Sequence, residues 1–501
     1  MNILLVYPEF PDTFWSFKYA LRFIRKKAST PPLGLLTVAA MLPADWKMRL
    51  IDLNVDTLSQ KDLVKADYVF ISAMVIQRDS AQALITRCKA AGIKVVAGGP
   101  LFTMEHELFP EVDHFVLNEA ELTLPPFLKD LASGSAQHIY GTAEYPDIRQ
   151  TPVPIWRLAN LKQYSAVSIQ FSRGCPYSCD FCNVTALLGH QPRTKSTAQI
   201  IAELDSLYSL GWRGGVFFVD DNFICNKKQL KSELLPALIE WRKGKSGIPF
   251  NTEVSINLAD DVELVGLMTK AGFDTIFVGI ETPSDESLAE CNKFQNRGRD
   301  LMQSVNLLQQ AGLQVQGGFI VGFDSDTSSI FQQQVDFIQR SGIVTAMVGL
   351  LQAPPGTKLH ARMKQEGRLI DRFSGDNVDG ATNIMPKMGH ALLQNGYRKI
   401  LDQIYSPKFY YERVLTLLRQ YKQPSIKYHL ELQSILALGR SIYRLGIRGI
   451  ERTHYWKLFF WSLFRRPRLF PLAITLSIYG YHFRHVAALH VGTAMPMAAA
   501  N

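Results

Sequence analysis

Short apolar runs alternate with helix-length amphipathic segments over residues 1–130. Each run is bounded by Pro, Gly or Asp and is short enough to be a strand buried on both faces, which is typical of parallel sheets. The predicted strands are residues 3–7, 48–52, 68–73, 94–97 and 114–117, with predicted helices such as 33–42 and 80–91 between them. This alternation predicts a doubly wound, Rossmann-like parallel sheet with ligand space at the carboxyl ends of its strands.

A second strand–helix alternation begins at residue 166. Its predicted strands are residues 166–171, 215–219, 252–256, 275–280, 316–321 and 345–350, separated by helices that include 197–210, 262–271 and 299–311. Six such units predict an open or partial (β/α)6 barrel, whose chemistry would lie at the carboxyl ends of the strands. The predicted fold class is therefore α/β with a C-terminal helical region.

These patterns predict four regions along the chain. The expected bounds are 1–135 for the Rossmann-like domain, 136–165 for a linker that contains Pro146, Pro152 and Pro154, 166–385 for the partial barrel, and 386–501 for the helical region.

The basic charge of the chain belongs to its C-terminal region. From Arg398 onward there are 16 Lys and Arg against 4 Asp and Glu, a net charge of +12, whereas the whole chain carries +9. The uncharged 15-residue run 469–483, flanked by Arg465, Arg466, Arg468 and Arg484, is shorter than the ~20 residues that span a bilayer. Two alternatives stay open, and they are compatible with each other: an amphipathic helix at an anionic membrane surface, and a helical domain packed on the barrel with solvated arginines. No recognised nucleic-acid-binding module accompanies the charge, so no nucleic-acid partner is expected.

Cysteine usage and the N-terminus indicate a cytoplasmic location. Residues 1–7 lack the basic region of a signal peptide and are predicted to form a buried strand. Six cysteines in 501 residues are too few for a disulfide framework, and three of them fall within eight positions, which favours a metal or cluster site. An interfacial tail would add a peripheral position on the inner face of the membrane.

The strongest chemical signal is Arg173-Gly-Cys-Pro-Tyr-Ser-Cys-Asp-Phe-Cys182, which directly follows the first predicted barrel strand. Cys175, Cys179 and Cys182 can hold three irons of a cubane cluster and leave the fourth iron open to a ligand. Gly174 and Pro176 allow a sharp turn after the strand. The alternatives are ordinary buried thiols or a zinc site, which would need a fourth ligand in compact spacing.

The CxxxCxxC spacing, with aromatic Phe181 before its last cysteine, resembles the radical S-adenosylmethionine superfamily over about residues 166–360. The resemblance implies a [4Fe-4S] cluster whose open iron binds the amino and carboxylate groups of S-adenosylmethionine. A low-potential electron donor then triggers carbon–sulfur cleavage and release of a 5′-deoxyadenosyl radical. It also implies cofactor contacts at the strand ends, where carboxylates have helix capping as an alternative role. The predicted contacts are Phe181, Asp220, Asp221, Asn222, Glu253, Glu281, Gly317 and Gly318.

The N-terminal region resembles the cobalamin-binding domain of the cobalamin-dependent branch of that superfamily. Ser72 and Met74 at the third strand, and Gly98-Gly99-Pro100 after the fourth, would line the cleft for the nucleotide tail of cobalamin. The glycine pair has a simple turn as its alternative, and another ligand remains an alternative for the domain. The Asp-x-His-x-x-Gly motif is absent and no histidine precedes His106, so cobalamin is expected base-off, without a protein histidine on cobalt.

Considered whole, the chain resembles cobalamin-dependent radical enzymes related to the hopanoid methylases. A methylthio-transferring relative is disfavoured because the N-terminal region has only Cys88, and Cys225 and Cys291 are expected to be ordinary thiols. The resemblance implies a methyltransferase acting on an unactivated carbon of a small molecule, with an interfacial tail favouring a lipid-like substrate. The alternatives are a cobalamin-binding radical enzyme that forms rings or oxidises without methylation, and a non-catalytic cobalamin or redox sensor.

Overall fold

The computed structural model describes residues 1–422 and 432–491 and contains two six-stranded parallel sheets followed by helices. The strands of the first sheet are β1 (Asn2–Tyr7), β2 (Lys47–Asp52), β3 (Tyr68–Ser72), β4 (Lys94–Gly98), β5 (His114–Val116) and β6 (Ile139–Tyr140). Its helices are α1 (Lys18–Leu21), α2 (Leu33–Met41), α3 (Gln60–Val64), α4 (Arg78–Ala90), α5 (Pro100–Glu105) and α6 (Ala120–Ala132).

The strand order of the first sheet is β2-β1-β3-β4-β5-β6. The order reverses between β1 and β3, and in doubly wound sheets a ligand crevice opens at the carboxyl ends of the strands at such a point. Both faces are covered: Leu4 and Val6 of β1 lie in one apolar cluster, and Ile3 and Leu5 lie in another.

The second sheet is a half-barrel whose strands follow one another in chain order from β7 to β14, with the hairpin β8–β9 outside it. Its elements are β7 (Ala166–Ile169), β8 (Ser172–Arg173), β9 (Arg193–Thr194), β10 (Gly215–Phe218), β11 (Phe250–Val254), β12 (Phe273–Glu281), β13 (Gln314–Val321) and β14 (Ala346–Leu350). Its helices are α7 (Val184–Leu188), α8 (Thr197–Ser209), α9 (Lys227–Gln229), α10 (Leu235–Trp241), α11 (Val262–Ala271), α12 (Asp285–Glu290), α13 (Leu301–Gln310), α14 (Ile330–Ser341) and α15 (Lys358–Gln365).

The predicted strands are all present, and their ends differ from the prediction by no more than two residues. The segment 136–165, predicted as a linker, contributes β6 to the edge of the first sheet and buries Trp156 and Tyr164. The hydroxyl of Tyr164 donates to the carboxylate of Asp52, 2.8 Å away. These contacts hold residues 136–165 in a fixed position, so the segment is an ordered part of the fold.

The C-terminal region is helical in its described residues. Its helices are α16 (His390–Tyr405), α17 (Pro407–Gln420), α18 (Leu432–Ser441), α19 (Arg452–Arg465) and α20 (Phe470–Val491). The fully buried Arg413 of α17 donates to the carbonyl oxygens of Ile404 and Val344, which fixes the helices to the end of the half-barrel.

Of the two alternatives for the apolar run 469–483, the structure shows the packed one. The run lies in α20, where Ala473, Leu476 and Phe483 are buried, and Phe483 stacks on Phe14 with ring centroids 4.3 Å apart. Solvated arginines are wrong for Arg484, which is buried and ion-paired with Glu451. Composition alone could not show this, because the covering residues come from the first 20 positions and from α16. Among the described residues, no helix is long and apolar enough to cross a membrane.

Candidate functional site

The loop that carries the three cysteines leaves the carboxyl end of β7 and is closed by the hairpin β8–β9. Gly174 has a φ of +91°, and a Cβ atom there would lie 2.9 Å from the carbonyl oxygen of Gln191 and 3.0 Å from that of Gly189. The backbone N–H of Cys175 donates to the same Gly189 oxygen at 3.2 Å. Glycine is therefore the only residue that permits this closure.

The three cysteines of the loop are half-buried free thiols. Burial raises the pKa of each thiol, and that of Cys182 to about 12, so their thiolates need the positive charge of bound metal. Among the described residues, no three His, Cys, Asp or Glu side chains converge on one ion position. Cysteine thiolates are the usual ligands of iron–sulfur clusters. The donor set thus fits an iron–sulfur cluster.

Asp220 fixes the start of the cysteine loop. Its fully buried carboxylate accepts hydrogen bonds from the backbone N–H of Phe171, at 3.1 Å, and from the backbone N–H and hydroxyl of Ser172. Burial raises the pKa of Asp220 to about 7. Oδ1 of Asn222, two residues later, accepts from the backbone N–H of Ser255 at 3.2 Å. Both side chains position the backbone of neighbouring strands, and cofactor contact by them stays a prediction.

Asp221 and Glu253 are the carboxylates that open into the half-barrel. Among the described residues, neither accepts a hydrogen bond from another side chain, and each is partly accessible from the interior. Burial raises the pKa of Asp221 to about 6. Burial, with a further contribution from the nearby Asp221 and Asp220, raises the pKa of Glu253 to about 8. These two groups can accept hydrogen bonds from a bound amino or hydroxyl group.

Glu281 ends β12 with a left-handed backbone, φ +63°. Its carboxylate is 2.6 Å from the ammonium of Lys293. Burial opposes the charged form of Lys293, but Glu281 and the neighbouring Cys179 raise its pKa above the ordinary value. Lys293 also lies 5.9 Å from the ring centroid of Phe181, which itself packs edge-on against Phe323. The pair therefore places a cation and an anion beside the cysteine loop.

Sequence reasoning missed the segment 291–295, which follows α12 and lines the cysteine loop. The carbonyl oxygen of Cys291 accepts from the backbone N–H of Asp180 at 3.0 Å, and the amide of Asn292 donates to the Asp180 carboxylate at 2.7 Å. The amide of Gln295 donates to Sγ of Cys179 at 3.7 Å. No local pattern marks this segment, because its proximity depends on the path of the chain after β12.

Gly317 and Gly318 lie inside β13, under aromatic side chains. A Cβ atom on Gly318 would be 2.8 Å from the ring of Phe277, and one on Gly317 would be 2.8 Å from the ring of Phe319. The glycines admit these rings, and contact of their backbone with adenine stays a prediction.

The predicted cobalamin segments meet at the crevice of the first sheet. Gly99 has a φ of +88°, and a Cβ atom on it would lie 2.5 Å from Oγ of Ser72. One on Gly98 would lie 2.6 Å from the carbonyl oxygen of Val116. Pro100 begins α5, and Met74 after β3 is 49% exposed. The backbone at Gly98 and Gly99 is closely packed, and Met74 beside it offers an exposed apolar side chain. This combination is compatible with a large ligand at this edge of the sheet.

The carboxyl edge of the first sheet and the cysteine loop are joined by ion pairs. The guanidinium of Arg173 contacts Glu119 at 2.7 Å and Glu121 at 2.9 Å, and that of Arg193 contacts Glu119 at 2.7 Å. Glu119 immediately precedes α6 and Glu121 lies in its first turn, at the carboxyl edge of the first sheet. The cysteine loop therefore lies against the carboxyl edge of the first sheet.

Three family profiles cover the chain in sequence: the B12 binding domain matches residues 24–128, the radical SAM superfamily matches residues 169–338, and a domain of unknown function, DUF4070, matches residues 357–493. The chain is 40% identical to an uncharacterized methyltransferase of Synechocystis sp., over 96% of this chain and 91% of that protein. It is 33% identical to the hopanoid C-2 methylase of Rhodopseudomonas palustris, over 91% of this chain and 88% of that protein.

The chain belongs to the cobalamin-dependent radical S-adenosylmethionine enzymes, in the branch related to the hopanoid methylases. It is an enzyme of methyltransferase type, and its domains imply a [4Fe-4S] cluster, S-adenosylmethionine and cobalamin as cofactors.

Solved structures of this enzyme class have the same fold. The methyltransferase TsrM from Kitasatospora setae, with cobalamin and a [4Fe-4S] cluster bound, superposes with a TM-score of 0.61 at 15% identity, over 91% of this chain and 99% of that one. The radical enzyme OxsB, with aqua-cobalamin and S-adenosylmethionine bound, superposes with a TM-score of 0.61 at 16% identity, over 99% of this chain and 84% of that one. The predicted fold class is confirmed.

Proposed function

We propose that this enzyme methylates an unactivated carbon of a lipid-like substrate. The observation that carries the proposal is the ion-pair contact of Arg173 with Glu119 and Glu121, which joins the cysteine loop to the cobalamin-side edge of the first sheet. Methyl transfer to an unactivated carbon needs a radical source and a methyl donor at the same substrate atom. Neighbouring sites for both meet that requirement.

The cofactors carry the difficult chemistry. When bound, the cluster with S-adenosylmethionine supplies the hydrogen-abstracting radical, and cobalamin supplies the methyl group. Each turnover would consume one S-adenosylmethionine as methyl source and a second as radical source. The low-potential donor would supply two electrons, one to cleave the second S-adenosylmethionine and one to return cobalamin to the state that accepts the next methyl group. The products are the methylated substrate, S-adenosylhomocysteine, methionine and 5′-deoxyadenosine.

The residues of the chain bind and orient these groups. Cys175, Cys179 and Cys182 hold three irons, and Asp220 keeps their loop in place through Phe171 and Ser172. Asp221 and Glu253 accept hydrogen bonds from amino or hydroxyl groups inside the half-barrel. The Glu281–Lys293 pair offers both an acceptor for a ribose or amino group and a cation for a carboxylate. The residues at the crevice of the first sheet would hold cobalamin, and we expect it base-off, because the motif that supplies a histidine is absent.

The inner face of the half-barrel supports a lipid-like substrate. Along β10 and β11, every second side chain is partly accessible while its neighbours are buried, which is the pattern of a sheet with one face packed on a core and the other partly open. Phe217 and Phe277 occupy such inner positions, and the indole of Trp15 packs against Phe277 with ring centroids 5.4 Å apart. These aromatic side chains give the half-barrel an apolar surface near the carboxylates of Asp221 and Glu253. Such a surface suits a substrate that is mostly hydrocarbon. The likeness to a hopanoid methylase supports the same substrate class.

The proposal is tested first on the anaerobically purified and reconstituted enzyme, with iron, sulfide and corrinoid measured together. We expect about four irons per chain and bound corrinoid. Cys179→Ala should lose the cluster, whereas the matched variant Cys225→Ala, which removes a thiol outside the loop, should retain it. The enzyme is then incubated with extracted lipids, reductant and S-adenosylmethionine labelled in its methyl group.

Label in a lipid product, with consumption of added methylcobalamin and formation of 5′-deoxyadenosine, is the expected result. Deoxyadenosine without methylcobalamin consumption would overturn the methyl-transfer mechanism in favour of ring formation or oxidation. Absence of both under reducing conditions would favour a sensor.

A further inference from the structure

Helix α19 carries a row of aromatic side chains on its outer side, of which the first is half-buried and the last two are exposed. Trp456, Phe460 and Phe464 are four residues apart, so they lie one above another along the helix. The rings of Trp456 and Phe460 stack with centroids 5.5 Å apart and planes at 22°, and those of Phe460 and Phe464 with centroids 6.3 Å apart and planes at 10°. Phe460 is 50% and Phe464 75% exposed. We call these three residues the aromatic ridge.

Basic side chains surround the exposed end of the aromatic ridge. Arg465 and Arg468 follow Phe464 and are exposed, and Lys457, seven residues before Phe464, is exposed as well. Arg466 donates to the carbonyl oxygen of Arg419 at 2.6 Å, which brings the end of α17, with its own exposed arginine, to the same place. No acidic residue follows Glu451 in the sequence. The ridge is thus an apolar surface within a region of positive charge.

We propose that the aromatic ridge with Arg465 and Arg468 is the docking surface of this enzyme for a membrane that contains anionic lipids. Aromatic side chains are favoured at the level of the headgroups, and exposed arginines are attracted to anionic headgroups there. Exposed stacked rings of this extent are unusual for a surface that faces only water. The surface assigns a role to part of the region that matches a domain of unknown function.

The location differs from the one expected from composition. The apolar run 469–483 packs inside the molecule, so it does not meet the bilayer; it supports α19, whose Phe459 lies edge-on to Phe470 at 4.9 Å. A second copy of this chain is a poorer occupant, because a symmetric contact would bring the same arginines together. A single-stranded nucleic acid is also poorer, because stacking platforms for bases lie in basic grooves, whereas the ridge lies on the outer side of a helix.

The test measures binding of the reconstituted enzyme to sedimenting vesicles of phosphatidylcholine alone and of phosphatidylcholine mixed with phosphatidylglycerol. We expect the enzyme to sediment with the mixed vesicles and to be released by salt, since the electrostatic attraction is screened. The double substitution Phe464→Ser with Arg465→Glu should weaken binding by at least about tenfold, because it removes one inserting ring and reverses one charge.

The matched control is Val64→Ser with Lys65→Glu, an exposed apolar and basic pair of the same kind on α3 and its end. It should bind vesicles as the unaltered enzyme does, and Phe464→Trp should retain binding. Failure of the unaltered enzyme to bind the mixed vesicles would overturn the proposal, as would unchanged binding by the double variant. A dimer that dissociates on Phe464→Ser, in the absence of lipid, would assign the surface to self-association and also overturn it.

This inference rests on the proposed function only in that a membrane-resident substrate gives the docking surface its purpose. The two fail separately. Iron, corrinoid and 5′-deoxyadenosine formation are measured on the same preparations and should be equal in the double variant and its control. Vesicle binding without methyl transfer would contradict only the proposed function. Methyl transfer without vesicle binding would contradict only the proposed docking surface.

Discussion

The ammonium of Lys293 lies 2.6 Å from a carboxylate oxygen of Glu281, and both side chains are largely enclosed beside the cysteine loop. The two residues are joined by a short helix, α12, that turns the chain back toward the end of β12. Glu281 has a left-handed backbone conformation, which costs a non-glycine residue about 1–3 kcal/mol. The ion pair is one of the contacts that hold this conformation.

The first prediction concerns this pair. Lys293→Met should lower the free energy of unfolding by about 3–5 kcal/mol, because it leaves the Glu281 carboxylate enclosed without its cation. The measurement is thermal unfolding of the reconstituted enzyme under anaerobic conditions. The double variant Lys293→Met with Glu281→Gln should recover most of the loss, since no unpaired charge remains. Equal losses in the single and double variants would show that Lys293 acts through packing rather than through the pair.

Asp220 and Asp221 are adjacent and yet should respond differently to the same substitution. Asp220→Asn removes a carboxylate that accepts from Phe171 and Ser172, and unsatisfied buried donors cost about 1–3 kcal/mol. We expect weaker retention of iron after reconstitution, measured as iron per chain after gel filtration. Asp221→Asn is the matched control and should retain iron, with its effect confined to binding of S-adenosylmethionine. Equal iron loss in both variants would contradict the assignment.

Glu253 predicts a pH dependence of stability. In the unfolded chain a glutamate titrates near ~4.3, whereas burial raises the pKa of Glu253 to about 8 in the folded enzyme. Between these values the folded enzyme holds a proton that the unfolded chain has lost. Stability therefore falls as pH rises through this window, by up to about 1.4 kcal/mol per pH unit from this group.

Glu253→Gln removes this contribution, so its Tm should fall less than that of the unaltered enzyme between about pH 5 and about pH 8. The measurement is the pH dependence of Tm, with the exposed Glu233→Gln as control. Parallel Tm profiles for all three proteins would mean that Glu253 ionises normally.

The elements and the cysteine loop were predictable because their signals are local. The length of the apolar runs and the spacing of apolar residues predict the strands and helices of both sheets. The three cysteines fall within one short stretch of the sequence. The sequence does not reveal the role of Lys293, because its ion pair forms only when the chain returns to Glu281 after α12. For Asp220 the sequence allows either a ligand or a cap, since it does not show that Ser172 in the hairpin after β7 uses the carboxylate oxygens. The apolar run of α20 was ambiguous because Phe14, from the other end of the chain, covers it.

The last prediction concerns Arg173, which binds Glu119 and Glu121 at 2.7 and 2.9 Å. Arg173→Ala should destabilise the enzyme by about 3–5 kcal/mol, because two largely buried carboxylates lose a shared cation. Arg173→Lys keeps the charge but not the forked geometry of the guanidinium. Its stability should therefore lie between that of the unaltered enzyme and that of Arg173→Ala. Arg149→Ala, which breaks an exposed pair, should leave Tm nearly unchanged. Since the pair joins the cysteine loop to the cobalamin-side edge, Arg173→Ala should also lose corrinoid during gel filtration, which Arg149→Ala should not. Full corrinoid retention with a lowered Tm would make Arg173 a stabilising residue without a role in joining the two cofactor sites.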